Sequence, residues 1–193
     1  ERLTNKDAWI RYRDSLRYAL HCIVRPFDGF WDLTHEKRGS MAAANTIVIL
    51  VLLTNLIKLG ATSFVFNPVN WDNVNLILEI ATFLVPFIVY VVANWCLTTL
   101  FEGEGSFSDV FVASCYALVP LPLLIIPSTL LSNILVSEEG SFISIINTIA
   151  FLWMGILLFF GMMITHDYSF GKSVLTAAVT IVGMIFIMFI AVL

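Results

Sequence analysis

Charge is what this sequence has least of. Asp, Glu, Lys and Arg make up 12% of its 193 residues, about half the share of a soluble domain. Hydrophobic residues make up 59%, and the mean hydropathy is +0.92. So little polar surface cannot cover so much apolar side chain in water, which makes lipid the solvent. Cysteine is scarce too. Cys22, Cys96 and Cys115 are spaced for neither a metal site nor a disulfide framework. Cys96 and Cys115 fall in apolar runs and read as small hydrophobes. His21, His35 and His166 are scattered, and His166-Asp167 reads as part of a polar loop. There is no H-E-x-x-H, Walker lysine or G-x-S-x-G. The apolar runs hold no Asp or His from which an intramembrane protease could build its dyad. These absences argue against an enzyme, and no cofactor, metal or nucleic-acid partner is expected.

What is present is a series of apolar runs. A span needs about 20 apolar residues to cross the hydrocarbon, and residues 41–59, 76–101, 110–131, 142–164 and 174–193 qualify. The expected fold is all-α: a polytopic membrane protein of five transmembrane helices. Eight of the ten Lys and Arg lie in residues 1–38, so the positive-inside rule puts the N-terminus in the cytoplasm. The loops around GEGSFSD and THDYSFGK then face the same side. Lys58, at the far end of the first span, is expected to snorkel. The chain starts at Glu1 without a methionine and ends at Leu193 inside an apolar run, so further residues are expected at both ends.

Residues 1–39 read as a cytoplasmic segment and residues 40–193 as the membrane body. The stretch DAWIRYRDSLRYALHCIVRP sets Trp9, Tyr12, Leu16, Ala19, Leu20 and Ile23 at helical spacing, with Arg11, Arg13 and Arg17 to the sides. This is the pattern of a basic amphipathic helix in the membrane interface. Packing on the ends of the bundle is an equal and compatible reading. The helix should end before Pro26. In RPFDGFWDLTHEKRGS, Pro26 and Gly29 are expected to break regular structure, leaving an elbow that presents Phe27, Phe30 and Trp31 to the membrane.

The stretch GEGSFSDVFVASCYALVPLPLLIIP is the most informative. Gly103 and Gly105 allow a tight turn. Ser106 and Asp109 fit a capping box, so a helix should start near Phe107. Pro120, Pro122 and Pro127 then free the carbonyls of Tyr116, Leu118 and Leu123. Val119 and Leu121, each before a proline, should leave α geometry. Bare carbonyls cannot face lipid, so the third span should be broken near its middle with the break turned inward. Pro86 should interrupt the second span. Asn55, Asn94 and Asn147 are candidates for interhelical hydrogen bonds, which Tyr90 and Tyr116 could join. Glu79 should reach the headgroups at the start of the second span.

The segment GEGSFSDVFVASCYALVPLPL resembles the G-x-G-[ST]-[FL]-x-[DE]…[SG]-Y-[AS]-x-x-P segment of Yip-domain (Ypt/Rab-interacting) membrane proteins, and RPFDGFWDLTHEKRGS resembles the pre-span segment of their bacterial members. The resemblance implies five spans with a cytoplasmic N-terminus. Eukaryotic relatives bind Rab-type GTPases and typically carry a D-L-Y-G-P motif before the spans. The nearest counterpart here is Trp31-Asp32-Leu33-Thr34, so a Rab-type GTPase is not expected. A bacterial cytoplasmic membrane fits better, and some bacterial members accompany ABC transporters. The expected function is a non-catalytic accessory subunit of a membrane complex, an ABC transporter among its candidate partners. Its docking face would carry Trp9, Arg11, Arg13, Arg17, Phe27 and Trp31. Gly103, Gly105, Ser106, Asp109, Tyr116, Pro120 and Pro122 would shape the bundle. Glu102, Glu104 and Asp109 would pair with a partner or with the chain's own N-terminal arginines. One alternative is a small transporter or channel using the broken second and third spans. Another is a lipid-handling or membrane-shaping protein.

Overall fold

The computed structural model describes residues 5–67 and 74–192, and it is helical throughout, with no strand among the described residues. Among these residues eight α-helices follow one another: α1 (Asn5–Val24), α2 (Pro26–His35), α3 (Met41–Ala61), α4 (Leu76–Phe101), α5 (Phe107–Ala117), α6 (Pro120–Leu131), α7 (Gly140–Thr165) and α8 (Phe170–Val192). Among the described residues, five stretches are long and apolar enough to cross a membrane: Met41–Ala61, Leu76–Leu97, Phe107–Leu131, Ser137–Thr165 and Phe170–Ala191. The third of these joins α5 and α6. The chain is an integral, multi-pass membrane protein.

The third span is the axis of the bundle. Its apolar window is 72% buried, against 33% or less in every other span. Helix α5 packs against α7 and α3, and α6 packs against the same two helices. Helix α8 sits outside, chiefly on α4. The outer faces stay apolar, as at Ile77, Leu152, Val182 and Phe186, because their solvent is hydrocarbon.

Local signals set the helix starts. Ser40 caps α3 by accepting from the Ala43 amide at 3.1 Å. Ser106 caps α5, accepting from the Asp109 amide while the Asp109 carboxylate accepts from the Ser106 amide, each at 3.3 Å. Three helix stops use a left-handed residue that is not glycine: Lys37 and Glu102, each at φ 50°, and Asp167 at φ 52°. A left-handed residue after the last turn is the usual way to end a helix.

Proline does less damage than expected. Helix α4 runs through Pro86 without interruption. The break in the third span is only two residues wide, Leu118 and Val119, and Val119 keeps α geometry at φ −58°, ψ −31°. Two of the three freed carbonyls, those of Tyr116 and Leu118, are taken up within the turn. Val119 donates to Tyr116 at 3.4 Å and Leu121 to Leu118 at 3.0 Å, both spaced three residues apart. Tightening to this shorter bond satisfies the carbonyls without a wet cavity. Residues from Val112 to Pro122 are all buried, so the break does point inward.

The elbow before the first span is in fact helix α2. Pro26 stands at its first turn, where a missing amide costs nothing. Gly29 is inside the helix because α1 crosses there. An added Cβ at Gly29 would stand 2.8 Å from the Cys22 α-carbon.

Candidate functional site

One end of the bundle gathers nearly every residue singled out by the sequence. It comprises α1, α2, the 102–106 loop and the 166–169 turn. Helix α1 is bolted to the bundle there rather than lying apart. The hydroxyl of Tyr116, itself fully buried in α5, donates to the Ser15 carbonyl at 3.0 Å and shares a hydrogen bond with Ser15 Oγ at 2.6 Å. Tyr12 shares another with Thr46 at 2.8 Å. The inward face of α1 is therefore Tyr12, Ser15, Ala19 and Cys22. Burial pushes the Cys22 thiol up to about 12, which makes it a packing residue rather than a reactive one. Tyr18 donates to Asp32 at 2.5 Å, joining α1 to α2. Burial, then that bond, raises the Tyr18 hydroxyl above its ordinary value. Helix α2 seats Phe30 against Gly161 of α7, with no exposure at Phe30.

The outward face of this end is mixed aromatic and basic. Trp9 is 64% exposed, Phe27 53% and Trp31 50%. Phe27 leans on Phe160, with ring centroids 4.5 Å apart, and Trp31 stacks on His35 at 3.7 Å. Arg11, Arg13 and Arg17 are exposed. Arg13 lies 3.6 Å from Asp14 on its own helix. The expected pairing of Glu102, Glu104 or Asp109 with these arginines does not form among the described residues. Asp109 is spent on the cap, where the Ser106 hydroxyl donates to it at 2.5 Å.

Beneath the 102–106 loop lies a polar cluster that sequence reasoning missed. His166 is 1% exposed, Asn94 1%, Thr165 3% and Tyr168 6%. His166 Nε2 meets Asn94 Oδ1 at 2.9 Å. A carbonyl oxygen only accepts, so the ring proton sits on Nε2 and Nδ1 is left an acceptor. Burial lowers the His166 imidazole to about 4, so it is neutral at pH 7. Burial also raises the Tyr168 hydroxyl. Lys172 Nζ lies 4.5 Å from the Tyr168 ring centroid. Asn94 Nδ2, Thr165 Oγ1, His166 Nδ1 and the Tyr168 hydroxyl have no hydrogen-bond partner among the described residues. A void of about 10 Å³ beside Asn94, Ser114 and Thr165 is the size that holds one water.

This cluster explains the two loop glycines, and the reason is not a turn. Neither has positive φ. A Cβ at Gly103 would overlap the Tyr168 hydroxyl and stand 2.9 Å from His166 Nδ1. A Cβ at Gly105 would stand 2.7 Å from Thr165 Cγ2 and 2.8 Å from His166 Nδ1. The glycines let the backbone lie directly on the histidine and tyrosine. The signal was available in the sequence. The topology puts both loops at the same end of their spans, and the packing of the helices brings G-x-G onto H-D-Y.

The profile of the Yip1 domain matches residues 20–193. The chain belongs to the Yip1 domain family. No curated protein and no solved structure matches it. The Yip1 domain therefore starts within α1 and takes in α2 and all five spans. Its glycine loop, capped α5 and Tyr116 form a connected unit in this chain: the loop covers His166, the cap fixes α5, and Tyr116 on α5 holds α1. Pro120 and Pro122 lie at the buried start of α6, below that unit. Of the expected asparagine contacts, Asn94 reaches His166, and Asn147 accepts from Ser128 at 3.0 Å between α7 and α6. Asn55 instead donates to Val51 of its own helix at 3.1 Å.

Proposed function

We propose that this protein is a non-catalytic subunit of a larger complex in a bacterial cytoplasmic membrane, oriented with α1 and α2 in the cytoplasm. The observation that carries this reading is the exposure of Trp9, Phe27 and Trp31 together with Arg11, Arg13 and Arg17 on two helices anchored to the bundle. Aromatic and arginine side chains are the groups that interfaces concentrate. Residues 1–39 supply the docking face and residues 40–193 the five-span body. The partner is another membrane protein, with the permease or ATPase of an ABC transporter the first candidate. A transport role for the broken third span has less support, since its freed carbonyls at Tyr116 and Leu118 are already bonded within a buried turn.

The test is co-purification at native expression level in mild detergent. A partner recovered in fixed ratio, and lost on replacing Trp9 and Trp31 with Ala, is the expected result. Recovery of this chain alone would sink the subunit reading.

The same end favours a second reading, contact with the membrane surface, because Leu20 and Val24 of α1 are exposed as Trp9 is. Charge reversal of Arg11, Arg13 and Arg17 in the full chain separates the two. Loss of a protein partner supports docking, whereas altered vesicle shape or anionic-lipid preference supports the surface role.

A further inference from the structure

At the opposite end of the bundle is a cavity of about 730 Å³ between α3, α4, α6 and α7. Helix α4 packs chiefly on α8, α5 and α3, and the cavity occupies the gap between its first half and α6 and α7. Its polar lining does not stop at the rim. Asn147 lies seven residues into α7, about 10 Å below the helix start at 1.5 Å per residue. A polar group at that depth in a span is costly where its donors stay unpaired, and Ser128 engages only the Asn147 carbonyl oxygen.

Among the described residues, the rim carries one charge of each sign. Lys58, in the last turn of α3, and Glu79, in the first turn of α4, both line the cavity. They form no ion pair with each other or with any other group among the described residues. Two opposite charges that face one space without meeting leave room for a guest between them. Deeper in, Asn55 uses its amino group on Val51 and keeps its carbonyl oxygen for a guest. Asn147 accepts from Ser128 and keeps its amino group. The wall there is apolar, with Phe83 of α4 and Phe151 of α7 facing the same space.

We propose that this cavity binds a zwitterionic aminophosphate group, the chemistry of a phosphoethanolamine headgroup. Lys58 takes the phosphate and Glu79 the ammonium, while the Asn55 carbonyl oxygen accepts from the ammonium and the Asn147 amino group donates to an inner phosphate oxygen. Phe83 and Phe151 line the way by which an acyl chain reaches the bilayer between α4 and α7. The inference is independent of the subunit reading, which concerns the other end of the molecule.

The test uses the full chain in detergent, with native mass spectrometry to count bound dioleoyl-phosphatidylethanolamine and dioleoyl-phosphatidylglycerol. Free O-phosphoethanolamine is titrated in parallel by calorimetry. The wild type should retain phosphatidylethanolamine about tenfold better than phosphatidylglycerol, the scale of one charge-assisted hydrogen bond. Glu79→Gln should erase that preference, and Lys58→Gln should weaken both lipids. Lys58 is half-buried and Glu79 exposed, and melting temperature reports whether each variant stays folded. Binding of the lipid alone assigns the site to the bilayer. Binding of free O-phosphoethanolamine that both variants abolish assigns it to a soluble aminophosphate. Equal retention of the two lipids by the wild type with no binding of the free compound, or retention unaltered in both variants, would overturn the proposal.

Discussion

At the scale of single residues, space rather than conformation explains the glycines. Gly105→Ala should destabilise the protein by about 1–3 kcal/mol, the usual cost of forcing an extra carbon into a packed site, because Thr165 and His166 are already closer than a Cβ tolerates. Gly155→Ala is the control, since nothing lies within 4 Å of its added carbon. Thermal melts of the two variants in detergent check the pair, and equal melts would refute the packing account. His166 makes a second prediction. Its folded value of about 4 lies below the ordinary 6.5. Between these values the unfolded chain binds the proton and the folded chain does not, so stability rises with pH across that window. The contribution is complete above pH 6.5 and is lost as pH falls toward 4. Melting temperature measured from pH 4 to 7.5 should drop on the acid side, and His166→Leu should flatten that slope.

At the scale of elements, α5 depends on its cap. Ser106→Ala removes both the acceptor for the Asp109 amide and the hydroxyl that holds the carboxylate. A loss of about 1 kcal/mol is expected, read as a lower melting temperature with faster hydrogen exchange at the first turn of α5. This cap was legible in the sequence, because S-x-x-D after G-x-G is a local signal. So was the end of α1 at Pro26. The helical nature of α2 was not. Pro26 and Gly29 look like breakers in isolation, and only the crossing of α1 over Gly29 shows that the glycine is a contact. The break in the third span was legible in place but not in form. Three prolines announced it, while the shortened bonds that heal it depend on the packing of α3 and α7 around it.

At the scale of the whole molecule, the charge distribution predicts which way the protein faces. Arg11, Arg13, Arg17, Arg25, Lys37, Arg38 and Lys172 lie at the α1–α2 end, with Lys58 at the other. Single cysteines placed at Glu104 and at Glu138, in a Cys96→Ser background, should differ in intact cells. The cysteine at Glu138 should react with an impermeant maleimide, and that at Glu104 only after permeabilisation. The reverse pattern would move the docking face outside and end the cytoplasmic-partner reading.

The sequence by itself determined the solvent, the five spans, the capped start of α5 and the family. Each of these rests on composition, on local periodicity or on residues a few positions apart. Tertiary structure decided what is central and what is covered. It set the proline-broken span as the buried axis, drew α1 onto Tyr116 and buried His166 beneath Gly103 and Gly105. It also left Lys58 and Glu79 facing one cavity. These contacts join residues far apart in the chain, and in lipid, where apolar faces are as content outside as inside, hydrophobicity alone does not say which helix face turns inward.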